Sequence, residues 1–333
     1  MIIGLDNGGT KNNATVLDTD GRFLVDRLVE TPSRVLEGPD VAVAALVESM
    51  ENILVLTGIH RSAVTAVGLD TPGPASADGV ISSKGSTNFS APAWRGYDIR
   101  SALEQRIGLP VVYSNDANAA ALYAHHIYFG DDAANRSSVS AIVGTGLGGG
   151  IIEQGRIISG ASGMAAELGH VQIPLEGLLD ADQPTPRCNC GLSGDAESIA
   201  SLSGIENNLL PYWLSQYPGH ELHGMDARKA AMAVRGLGER NDPLARTIFT
   251  QQAMALGRLF SIAANFTDPH AYFVGGGVVE ANEDFRNWIL ETVRANTVLR
   301  EEQQRVVTFA VVPDLDMAGS RGAALAARDA RAA

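Results

Sequence analysis

Residues 138–155 read SVSAIVGTGLGGGIIEQG, and two folds compete for them. The glycines at 144–149 have the G-x-G-x-x-G spacing of a dinucleotide-binding turn. That motif needs a helix directly after it, so that a pyrophosphate meets the helix N-terminus. Here the chain continues GIIEQGRIISG, with β-branched residues and further turns. The stretch therefore reads as a hairpin (strand, glycine turn, strand) followed by the short strand RIISG, and a nicotinamide cofactor is set aside. The first thirty residues have the same layout. IIGLD is a strand, NGGT a turn, NATVLD a strand, DTDG a turn and FLVDRLVE a third strand. One layout occurring once in each half predicts two related half-folds facing each other.

Outward from these hairpins the pattern alternates. Residues 40–57 have helical periodicity, with Asp40 suited to the N-cap. AVTAVGLD is a buried strand and DTPGPASADG a loop. DIRSALEQRIG is a short helix opened by Asp98 and closed by Gly108. PVVYSND leads into the alanine-rich helix ANAAALYAHHIY. Residues 205–265 read as mostly helical, HAYFVGGGVV and RVVTFAVVPD as strands, and DFRNWILETVRANT and MAGSRGAALAARDAR as helices. The fold class is α/β with mixed sheets.

The 333 residues exceed what one core usually absorbs, which suggests two domains. The formal charge of -13 disfavours nucleic acid and anionic lipid as partners. An anionic substrate must then be held by backbone N–H groups or a local cation. No stretch has the length and hydropathy of a membrane span, and no export signal is evident, so a reducing cytoplasmic setting is expected. The only cysteines, Cys188 and Cys190, sit one residue apart, where a disulfide would close a strained ring. They are either metal ligands or idle thiols.

A glycine turn between strands presents several N–H groups to an anion. Thr10 and Thr145 add hydroxyls at equivalent places in the two repeats, so the pair of turns suits a chain of phosphates. Two bare hairpins are the plain alternative. Asp6, before the first turn, suits Mg²⁺, or is an ordinary strand-end acid. Gly275–Gly277 let a nucleoside approach the backbone. Asn115 and Asp116 stand where a strand gives way to a helix. Asp116 is either a helix cap or the base that accepts a hydroxyl proton in phosphoryl transfer, and Asn115 suits a polyol. Glu167 and His170 lie three apart, on one side of a helical turn, with Glu197 downstream. A solvated helix face and a structural histidine are the competing readings.

The motifs LDNGGTK, PGP at 72–74, NDANAAA, GTGLGGGII, ELGH, CNCGLSGDAES and FVGGGV follow one another as in ROK-family sugar kinases. The chain resembles that family, part of the hexokinase or actin-like ATPase superfamily, over nearly its whole length. The resemblance implies two ribonuclease H-like α/β domains with a cleft between them. The smaller would comprise 1–117 plus 317–333, and the larger 118–316. It implies ATP and Mg²⁺ at the glycine turns, a hexose at the hinge, and a homodimer. By the same resemblance Asp116 is the catalytic base, and Asn115, Glu167, His170, Glu197, Gly73 and Asn88 face the sugar. Asp6, Gly8, Gly9, Thr10 and Lys11 form the first phosphate loop, Gly144, Thr145 and Gly146 the second, and Gly276 and Gly277 the adenosine side.

The family's zinc module joins the GH histidine to three cysteines. In this chain Asp195 replaces the third, giving a His170, Cys188, Cys190, Asp195 set, chemically sound for a structural Zn²⁺. The implied reaction is ATP-dependent phosphorylation of a hexose at its 6-hydroxyl, with glucose leading. Fructose, mannose, allose, N-acetylglucosamine and N-acetylmannosamine remain as other acceptors. A sugar-responsive regulator of the same fold is a further alternative, disfavoured by the acidic charge and a first core strand at residue 2.

Overall fold

A computed structural model describes residues 1–73, 75–82, 89–312 and 315–332. The backbone groups into two compact units. The first is Met1–Asn135 with Gln154–Ala165 and Pro313–Ala333; the second is Arg136–Glu153 with Ala166–Val312.

In the first unit, β1 (Ile2–Asn7) and β2 (Lys11–Leu17) form the antiparallel hairpin. Its turn is closed by Gly8 N–H donating to Lys11 O at 2.9 Å. Strands β3 (Glu30–Pro32), β4 (Ala66–Thr71) and β5 (Val111–Asn115) complete a sheet of order β3-β2-β1-β4-β5. The strand expected over FLVDRLVE is displaced: only a bridge at Phe23 and the three residues of β3 pair. The register of β1 on β4 sets Gly4 beside Gly68, Leu5 beside Leu69 and Asp6 beside Asp70. Both leucines are buried completely.

Helix α1 (Pro39–Thr57) buries Val43, Leu46, Met50, Ile53 and Leu54, spaced three and four apart as one helical face requires. Truncating a side chain such as Leu46 to alanine is expected to cost about 2–5 kcal/mol. Its N-cap is Gly38 rather than Asp40, because Pro39 takes the first helical position and moves Asp40 into the first turn. Helix α2 (Ile99–Ile107) is capped by Asp98 and closed by Gly108 in the left-handed region, as the sequence indicates. Helix α3 (Asp116–Phe129) packs within this unit, so the unit continues past residue 117.

The C-terminal helix Leu315–Ala332 lies on β1, β4 and α3. It approaches so closely that a Cβ on Gly4 or Gly68 would stand 1.8 or 1.9 Å from the carbonyl oxygens of Ser320 or Ala323. Glycine alone permits that contact.

In the second unit, β6 (Ser138–Val143) and β7 (Leu147–Glu153) make the other hairpin. A two-residue strand, β8 (Arg156–Ile157), is all that forms of RIISG. Strands β9 (Ala271–Gly276) and β10 (Thr308–Val311) run parallel to β6, giving the order β10-β9-β6-β7-β8. The sequence around 205–217 is helical but opens with a π-helical stretch, Ile205–Leu209. The helix Pro243–Thr267 buries Ile248, Phe249, Gln252, Leu256 and Phe260. No described helix is long and apolar enough to cross a membrane.

Candidate functional site

Three parallel strands of the first unit end together, and their carboxyl ends carry acids. Asp6 closes on Asp70 across β1 and β4, and Asn115 is paired in register with Thr71 across β4 and β5. Ligands of open α/β sheets bind outside such strand ends. Asp70 is fully buried, and neither carboxylate oxygen has a hydrogen-bond partner among the described residues. Burial first, then the charges of Asp6 and Asp116, hold its carboxyl well above the usual range. Burial also raises Asp6. Burial and the neighbouring carboxyl therefore both favour the neutral form of Asp70. Two acidic oxygens without donors form a donor set that also fits a hard cation such as Mg²⁺.

Asp116 is the first residue of α3, and Asn115 is the cap. The Asn115 side-chain oxygen accepts from Ala117 N–H at 3.0 Å. The Asp116 carboxylate accepts from the same N–H at 2.7 Å. Both side chains therefore share one helix N–H, Asn115 from the N-cap and Asp116 from the first helical position. Gly73 lies against Asn115: a Cβ there would stand 2.8 Å from the amide nitrogen. A cavity of about 280 Å³ opens beside Asn115, edged by Ser76, Ser114, Asn118 and Ser159. Asn118 Oδ1 is buried without a partner. Asn88 lies outside the described residues.

On the first turn, Gly8 and Gly9 are half-buried and Thr10 is exposed. Lys11 turns away to Glu30, with Nζ–Oε2 at 2.6 Å on the exposed edge of the sheet.

In the second unit the turn Gly144–Gly146 is braced by backbone. Gly144 N–H donates to Gly146 O, while Leu202 and Ser203 N–H donate to Gly144 O and Thr145 O at 3.0 Å. Arg228, near the start of the helix Ala227–Glu239, donates to the Thr145 hydroxyl at 3.1 Å and to Glu206 at 2.8 Å. The sequence reading missed this cation, because no local motif ties residue 228 to residue 145. Gly276 is in the left-handed region at φ 93°, with Val143 O 1.8 Å from where its Cβ would be, so no other residue fits. Gly277 opens the 3-10 turn that follows.

Glu167 and His170 come from a single 3-10 turn, Leu168–His170, with Glu167 at its N-cap, rather than from a longer helix. Ala166 just before has φ 64°, an uncommon conformation for a residue with a side chain. Burial raises the Glu167 carboxyl, the His170 charge opposes this, and Glu197 adds to it. The Glu197 carboxylate links two features. One oxygen accepts from Leu147 N–H at 2.9 Å, behind the second turn, and the other accepts from the Cys188 thiol at 3.3 Å.

Ligand atoms of His170, Cys188, Cys190 and Asp195 lie within 4.8 Å of one another. His170 Nδ1 is 3.4 Å from Asp195 Oδ2 and 3.9 Å from Cys188 Sγ, and Cys190 Sγ is 3.6 Å from Asp195 Oδ2. Asp195 is fully buried, and its other oxygen is fixed by Ser198 N–H at 3.0 Å. One nitrogen, two sulfurs and one oxygen converging in this way fit tetrahedral zinc. Burial raises the Cys188 thiol, so it is protonated unless a cation draws the proton off.

The chain is similar to known proteins over nearly its whole length. The family model described as "ROK family" matches residues 2–330. A glucokinase of Streptomyces coelicolor is 32% identical over 295 residues, covering 85% of this chain and 84% of that protein. An N-acetyl-D-glucosamine kinase of Pectobacterium atrosepticum is 30% identical over 342 residues, covering 98% of both. A ROK glucokinase of Streptomyces griseus, solved with glucose and AMPPNP, superposes with a TM-score of 0.69 at 30% identity, covering 98% of this chain and 99% of that one. Two five-stranded α/β sheets, each with its glycine-turn hairpin, are the actin-like ATPase fold. The chain belongs to the ROK family of sugar kinases.

Proposed function

We propose that this protein transfers the γ-phosphoryl group of ATP to the 6-hydroxyl of a hexose, with glucose as the leading acceptor. The placement of Asp116 at the carboxyl ends of β1, β4 and β5, beside the Asp6–Asp70 pair, carries this reading. The Asp116 carboxylate accepts the hydroxyl proton as the sugar oxygen attacks phosphorus in line. Glu167, His170 and Glu197 supply acceptors and donors for sugar hydroxyls.

On the nucleotide side, the backbone N–H groups of Gly144–Gly146 and the Arg228 guanidinium suit phosphate oxygens. Asp6 beside Asp70 would hold Mg²⁺, which neutralises phosphate charge when bound. His170, Cys188, Cys190 and Asp195 would hold a structural zinc that orients His170 and, through Asp195 and the Ser198 N–H it accepts from, steadies the start of the helix that carries Glu197. An N-acetylhexosamine is the second candidate acceptor, because the N-acetyl-D-glucosamine kinase relative matches over 98% of both lengths.

Coupled ADP release against a panel of hexoses and amino sugars tests the reading. One sugar is expected to stand well above the rest. Asp116→Asn is expected to lower kcat by about 10²–10⁴-fold. Undiminished turnover in that variant would remove Asp116 from the mechanism.

A further inference from the structure

Behind the second glycine turn lies a cavity of about 310 Å³ that opens beside Gly144 and Thr145. Its walls are mostly apolar: Leu202, Ile205, Ala231, Met232 and Phe249. The polar groups at its mouth are engaged with one another. Arg235 donates to Gly277 O at 2.6 Å and to Glu280 at 2.8 Å, and Thr145 Oγ1 accepts from Arg228. Gln252 differs from these. It projects from the helix Pro243–Thr267 into the same wall as Phe249, is 1% exposed, and its Oε1 has no hydrogen-bond partner among the described residues. The adjacent Gln251 shows that this is a property of the position. Equally buried, it accepts from Trp213 and donates to Leu178 O and Gln183. A buried acceptor without a donor is costly, and a ligand that brings the donor recovers that cost.

We infer that Gln252 reads the base of the nucleotide, its carboxamide oxygen accepting from the exocyclic 6-amino group of adenine. The inference rests on the ATP reading above and adds the residue that selects the base. A flat purine fits between the apolar walls, and its ribose and phosphates lead toward Gly277 and the Gly144–Gly146 turn. Adenine sets a ring nitrogen beside its amino group, so the same carboxamide donates through Nε2 while accepting through Oε1.

Formation of sugar phosphate is measured with ATP and with purine riboside 5′-triphosphate, which carries hydrogen in place of the 6-amino group. The wild-type chain is expected to favour ATP about tenfold in kcat/KM, the worth of one buried hydrogen bond. In Gln252→Leu the preference is expected to fall to within about twofold. Gln252→Glu keeps an acceptor oxygen and is expected to retain it. Equal use of the two donors by the wild-type chain overturns the inference even if no variant folds, as does an undiminished preference in Gln252→Leu. Absence of any ATP-dependent phosphorylation overturns the ATP reading itself, a different result from equal use of two purine donors.

Discussion

The two hairpins share a layout and differ in what stands behind their turns. Behind the first, β1 and its neighbour β4 bring two acids together, and Lys11 is drawn off to Glu30. Behind the second, Glu197 interacts with Glu167, but its oxygens are engaged by Leu147 N–H and the Cys188 thiol. Backbone N–H groups brace the turn, Arg228 reaches the Thr145 hydroxyl, and Glu197 grips Leu147 N–H from behind. One hairpin topology has therefore been given opposite electrostatics. Acidic oxygens suit a proton or a divalent cation, whereas N–H groups and a guanidinium suit phosphate. Duplicated backbone does not imply duplicated chemistry, because side chains from outside each hairpin set its charge.

The contrast is most exposed to test at the second turn's support. Asp195→Ala removes a ligand from the four-atom set and loosens the loop that holds Glu197. Metal analysis of freshly purified wild-type protein is expected to find about one zinc per chain, and the variant to lose it. kcat/KM for the sugar is expected to fall about 10–100-fold. Fully active wild-type protein without zinc would remove the metal from the account.

Arg228→Ala sharpens the comparison from the phosphate side. The KM for ATP is expected to rise about tenfold, the scale of one charge-assisted hydrogen bond, with the sugar KM unchanged. A rise confined to the sugar would show that the second turn does not hold phosphate.

The acid pair behind the first turn predicts a pH signature. The Asp70 carboxyl is raised in the folded chain, so the folded state binds more protons than the unfolded state above the ordinary carboxyl value of 3.8. Stability conferred by that proton is present at lower pH and declines as pH rises toward the folded value. Asp70→Asn is expected to match the wild-type Tm near pH 4 and to exceed it at pH 8, as read by thermal unfolding across pH. Parallel curves would show that the pair is not protonated.

The smallest effect is expected at Lys11. Its charge is engaged with Glu30 at the surface, where such pairs contribute about 0–1 kcal/mol. Lys11→Ala is expected to change kcat/KM for ATP less than about twofold. A tenfold loss would bring Lys11 back to the phosphates and weaken the contrast between the turns.

Much of this was legible in the chain itself, unevenly. The hairpins were, because glycine turns between β-branched runs are local signals. Asp98 and Gly108 were legible as the bounds of α2 for the same reason. Asp70 was missed, although a signal existed: GLD occurs at 4–6 and again at 68–70, and the two copies pair residue for residue. FLVDRLVE has strand composition yet mostly does not pair. Composition gives a propensity, whereas pairing needs an open sheet edge in register. Asp40 was displaced from its cap by the proline beside it, a competition between neighbours one position apart.

By itself the sequence determined the α/β class and the two hairpins, which are written in contiguous spacing, while the resemblance to ROK kinases supplied the His170, Cys188, Cys190 and Asp195 set and the candidate base at position 116. Only the tertiary structure decided that Asn115 and Asp116 share one helix N–H, that Asp6 meets Asp70, that Arg228 serves Thr145, and that Gln252 Oε1 has no partner among the described residues while Gln251 has several. These depend on side chains far apart along the chain, and the energy of a buried polar group is set by what packs around it rather than by its neighbours in sequence.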